Sequence, residues 1–135
     1  MLNYQSKYSI AFYNAEHKLM KLSWFTSSEE LSEAGLKDEM SNILNHIKDN
    51  KPRKILVDTI NFRYHVTQSV QNWMVSNFIN KVFMLGVEKY AIVVDEEIYD
   101  EVKIQQVSVD EEEEESTHIQ YFTDEEDAFD WLKSI

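Results

Sequence analysis

The sequence predicts an α/β fold: a single mixed five-stranded sheet, with an N-terminal antiparallel hairpin followed by parallel strands and crossover helices in the order β-β-α-β-α-β-α-β-α. Three observations point there. "KILVDT" (54–59) and "KYAIVVD" (89–95) are unbroken apolar runs, the pattern of strands covered on both faces. Apolar residues of helical period lie before, between and after them. A chain of 135 residues with two Gly and one Pro has no linker-like segment, so residues 1–135 read as one domain.

Each element has its own justification. "YSIAFY" (8–13) and "LMKLSWF" (19–25) are β-prone runs joined by "NAEHK", a hairpin. Leu36, Met40, Ile43, Leu44 and Ile47 form one apolar stripe of a first helix, with Ser27 and Glu30 spaced as a capping box and Asn50 and Pro52 closing it. Residues 67–85 predict a second helix with Thr67 as its cap and Gly86 at its end. Its apolar arc, Val70, Trp73, Met74, Phe78, Ile79, Val82 and Phe83, is wider than one buried face needs. A third helix over 96–107 is capped by Asp95, "HIQYF" (118–122) is a last strand, and a last helix follows with Thr123 and Glu126 as capping box.

Composition excludes several functions. The formal charge is −12, from 25 acidic and 13 basic residues. That field repels phosphate and anionic lipid, so neither nucleic acid nor stable membrane association is expected. The chain has no Cys, which removes disulfides, thiolate metal sites and thiol nucleophiles, and suits a reducing compartment. The start "MLNYQSKYSIAFY" lacks the plan of a signal peptide, and a cytoplasmic location is expected.

Ligands of open α/β sheets bind outside the carboxyl ends of the strands, here Asp58 with the 59–66 loop, Asp95, and the Phe122–Asp124 corner. The candidate binding residues are Asp58, Asn61, Phe62, Arg63, Tyr64, His65 and Trp73. A plainer account stands beside each: Asp58 and Asp95 accept backbone N–H groups, Phe62 and Tyr64 fold over the sheet end, and Arg63 pairs with surplus carboxylates. His17, His46 and His118 share no metal-ligand spacing, Gly35 and Gly86 cradle no phosphate, and no nucleophile elbow occurs. No catalytic residue, metal or cofactor is therefore expected. The run "DEEEEE" (110–115) lacks the alternation and Gly of a calcium loop, and reads as a solvated connection that serves solubility and shields the neighbouring edge strand.

"KILVDT" with its following loop and "QNW", then "GVEKYAIVVDEE", then "FTDEEDAFDWL", together resemble the STAS-like superfamily across nearly the whole chain. That superfamily includes anti-sigma-factor antagonists and SpoIIAA-like proteins, and is related in fold to the CRAL-TRIO lipid-transfer domains. Its phosphoswitch members carry an acceptor Ser after an aspartate, in a compact Asp-Ser-Ser-Gly type loop. Here Asp58 is followed by Thr59, the loop is longer, and the hydroxyls on hand are Thr59, Thr67 and Ser69; Thr67 and Ser69 are the candidate phosphoacceptors. The resemblance implies a regulatory or protein-interaction domain, docking through the 58–69 loop and the helix after it. A carrier or sensor of a small amphipathic ligand, with an apolar pocket under that loop and helix, is the alternative, and an enzyme using Asp58 and His65 as acid and base a third.

Overall fold

The computed structural model describes residues 2–100 and 118–134. Its sheet has six strands in the order β1-β2-β3-β4-β5-β6: Leu2–Gln5, Ser9–Asn14, Leu19–Trp24, Lys54–Asp58, Lys89–Val93 and Ile119–Phe122. β1/β2 and β2/β3 are antiparallel, and β3/β4, β4/β5 and β5/β6 are parallel. The α/β class and the mixed sheet are as expected, but the strand count of five is corrected to six. The added strand is β1. Ser6 Oγ accepts from the N–H groups of Tyr8 and Ser9 at 2.9 and 3.2 Å. That local turn reverses a chain segment too short to signal itself by alternation.

Alternation along each strand divides the core between two faces. Met20, Leu22, Trp24, Ile55, Val57 and Tyr90 face the first and second helices, where they meet Leu36, Met40, Ile43, Ile47, Val70, Phe78 and Val82. Leu19, Leu56, Ala91 and Val93 point the other way and are covered by Ala128 and Leu132. Each of the fully buried Leu and Ile side chains contributes about 1.5–3 kcal/mol by leaving water.

Helix α1 (Glu33–Asn50) starts after Ser32, whose side chain accepts from Gly35 N–H at 3.0 Å. The Ser27–Glu30 capping box is thus corrected. Those residues lie in a 3₁₀ turn, Thr26–Glu30, where Ser27 Oγ donates to the Lys7 carbonyl and Glu30 pairs with Lys7. Buried Leu31 pulls the chain inward before the true helix begins. At the far end Asn50 Nδ2 donates to the His46 carbonyl, and Lys51 takes a left-handed conformation (φ 53°) before buried Pro52.

The second helix is not one α-helix over 67–85. It runs as α2 (Gln68–Met74), a π-helical turn (Val75–Ile79) and α3 (Asn80–Met84), ending at Gly86 with φ 105°. Thr67 caps it as expected, accepting from Val70 N–H at 3.3 Å. The wide turn has a cause in the sequence. Val70, Met74, Phe78 and Val82 recur every four residues, and four residues of α-helix overshoot a full turn by about 40°. A π turn takes up that drift and keeps the row facing the sheet. From within the widened turn, Asn77 Nδ2 donates to the Trp73 carbonyl in the last turn of α2.

Residues 96–100 are helical, capped by Asp95, whose Oδ1 accepts from Ile98 N–H at 2.9 Å. The rest of the expected third helix and the 110–115 acidic run lie outside the described residues. The last helix, α4 (Glu125–Lys133), is capped by Asp124, which accepts from Glu126 N–H at 3.0 Å, so the Thr123–Glu126 box is corrected. Among the described residues, no helix is long and apolar enough to cross a membrane.

Candidate interaction surface at the carboxyl ends of the strands

Ser23, Asp58, Val93 and Phe122 lie in one register row, so the segments that follow them share one rim of the sheet. At its centre is the 59–67 loop. Asp58 Oδ1 accepts from Ile60 N–H at 3.0 Å, making the strand-end acid a turn former. Thr59 donates twice to the Val93 carbonyl, through N–H at 3.0 Å and through Oγ1 at 2.8 Å, which ties the loop to β5. Phe62 N–H donates back to the Thr59 carbonyl, and the Phe62 ring meets Trp24 edge-on with centroids 4.8 Å apart. Tyr64 lies beside Phe62, at 6.2 Å.

Arg63 is held at its backbone, where N–H donates to the buried Ser28 Oγ at 2.8 Å. Its guanidinium donates to the Ile60 carbonyl at 3.0 Å and joins no ion pair among the described residues, which corrects the expected pairing with carboxylates. Of the residues singled out from sequence, Phe62, Tyr64 and Trp73 are half-buried against the core, with the Lys37 ammonium 5.5 Å over the Trp73 ring. Asn61, Arg63 and His65 are exposed on the loop, and Asp58 is half-buried in its turn. Thr67 spends its side-chain oxygen on the helix cap, and Ser69 is exposed in the first turn.

The same rim differs at β5 and β6. Val94 N–H donates to the Phe122 carbonyl at 2.8 Å, and beside this bridge a cleft of about 410 Å³ is lined by Glu96, Tyr99, Asp100, Phe122, Thr123 and Asp127. Its walls combine two aromatic rings with three carboxylates. No group of three or more side chains placed to hold a metal ion occurs among the described residues.

Sequence reasoning missed Glu39. It is only 5% exposed, and its carboxylate accepts from both Ser6 Oγ and Ser9 Oγ at 2.5 Å, pinning the β1–β2 turn to α1. Burial pushes the neighbouring Tyr4 phenol above its ordinary pKa, with the Glu39 carboxylate adding to the shift and a hydrogen bond to Ser6 opposing it. The signal was present: Glu39 stands three residues after Leu36 and four before Ile43, on the stripe that faces the sheet.

Charge gives the rim its character. From Thr59 to Val87 the chain contains no Asp or Glu, although its net charge is −12. Four of the six large apolar side chains exposed among the described residues, Ile60, Val66, Val75 and Met84, fall in that stretch. In comparison with known proteins, no family model matches this chain, and no curated protein or solved structure is found to be significantly similar to it.

Proposed function

We propose that this chain is a non-catalytic regulatory or protein-interaction domain of the STAS-like type, docking a protein partner through the 58–69 loop and the helix that follows. The observation that carries the reading is the acid-free stretch 59–87, loop and second helix of an otherwise acidic chain, in which Ile60, Val66, Val75 and Met84 are exposed. Depletion of charge together with exposed apolar and Met side chains marks the centre of a protein interface. Because Phe62 and Tyr64 also pack against the core, the test uses outward residues. The Ile60→Glu, Val75→Glu double variant is expected to lose capture of a reproducible partner while its melting temperature stays within about 2 °C of wild type. Equal capture by both chains, measured by quantitative pull-down, would remove the basis of the proposal.

A second reading, a carrier or sensor of a small amphipathic ligand, is favoured by the cleft at β5 and β6, where Tyr99 and Phe122 offer apolar walls beside Glu96, Asp100 and Asp127. Such a ligand would join an apolar body to a cationic head. Native mass spectrometry of protein purified from cells is expected to show added mass that Phe122→Asp abolishes. A bare chain in every preparation counts against it.

A further inference from the structure

The π turn has a second effect on the surface. By aligning the inward row Val70, Met74, Phe78 and Val82, it also aligns the row two residues out of phase, Gln68, Asn72, Ser76, Asn80 and Met84, along the opposite side of the helix. All five are exposed, and Met84 is 83% exposed. Three are amides and one a hydroxyl, each both donor and acceptor. Gln68 Nε2 already donates to Asn72 Oδ1 at 3.0 Å, so the amides are oriented along the row.

Such a surface is complementary to itself. A two-fold interface brings each residue against its own symmetry mate or the mate of its mirror position, which like charges oppose and amides satisfy. On a chain of net charge −12, the acid-free stretch is where two copies meet with least repulsion. Resting on the reading that this face docks protein, we infer that its partner is a second copy of the same chain. The helices lie antiparallel across a two-fold axis at Ser76. There the small Ser76 side chains allow close approach, each Asn72 faces Asn80 of the other copy, and each Gln68 stem lies against the other copy's Met84. The row is about 24 Å long, which places the interface at the small end of specific contacts and makes association weak and concentration-dependent.

Sedimentation velocity of the full chain, from low micromolar to near-millimolar concentration, tests this. The sedimentation coefficient is expected to rise toward that of a dimer. Ser76→Arg, which sets two cations on the axis, should hold the chain monomeric throughout with an unchanged melting temperature. Asn72→Glu alone should weaken association about thirtyfold, the loss of roughly one net hydrogen bond in each of the two symmetry-related pairs. The Asn72→Glu, Asn80→Lys double variant, which places opposite charges face to face only in the antiparallel arrangement, should restore it. A wild-type chain that stays monomeric, a dimer that survives Ser76→Arg, or a double variant without recovery overturns the inference. If the wild type is monomeric yet Ile60→Glu, Val75→Glu still loses a defined partner, self-association alone falls and the docking face stands.

Discussion

The loop after β4 and the corner after β5 begin alike and end differently. Each follows a buried parallel strand and opens on an aspartate that accepts a backbone N–H, from Ile60 in one case and Ile98 in the other. After Asp58 the chain is tied down by Thr59 on Val93 and by Phe62 on Trp24, which holds the loop against the sheet. After Asp95 it turns into a helix at once, and a cleft opens between that helix and the Phe122 corner. Identical strand-end chemistry therefore sets only the exit direction. Whether the rim closes or opens depends on aromatic residues further along, and a closed loop can present outward side chains in a fixed arrangement.

The largest expected effect breaks the closed half. Trp24→Ala removes the buried ring on which Phe62 rests and should lower stability by about 3–5 kcal/mol in urea titration. A cost under about 1 kcal/mol would mean that the loop does not depend on that contact. Thr59→Val sharpens the comparison by removing only the side-chain bond to Val93, while the backbone bond remains. A loss of about 1 kcal/mol is expected, with faster hydrogen exchange confined to the loop. Exchange that quickens equally around Asp95 would show that the two regions open together. The smallest effect belongs to the open half: Asp100→Asn, on an exposed cleft wall, should change stability by less than about 0.5 kcal/mol. A cost matching that of Thr59→Val would contradict the contrast.

Much of this architecture was legible in residue order. The continuous apolar runs identified β4 and β5 and required them to be parallel neighbours, and Thr67, Gly86 and Asp95 were read correctly as helix punctuation. What escaped was decided by single side chains acting at a distance. β1 exists because Ser6 turns the chain and Glu39 holds that turn from a helix thirty-three residues away. The two displaced helix starts show the same thing on a smaller scale. Ser27 and Thr123 have the right spacing to cap, but Ser32 and Asp124 are where the backbone enters the helix. The π turn was encoded in the strict fourfold spacing from Val70 to Val82, although periodicity alone reports a helix and not its pitch. As for the candidate surface, the loop was located by the strand-end rule, whereas its acid-free continuation along the helix became a feature only once a solvent face was known.

The attachment of α4 bears on the order in which the molecule assembles. Its N-terminal turn is joined to β3 by the Lys21–Glu125 ion pair, between residues 104 apart in sequence, and its last turn is held by Lys89 of β5, whose ammonium donates to the carbonyls of Trp131 and Ser134. Both anchors are on strands that become neighbours of β4 only when the parallel sheet has formed. Contacts between such remote residues carry the largest loop-closure entropy and arrive late. Docking of α4 is thus expected late in folding. Until α4 docks, Leu56, Ala91 and Val93 lack their cover, a bare apolar face of the kind a chaperone would recognise.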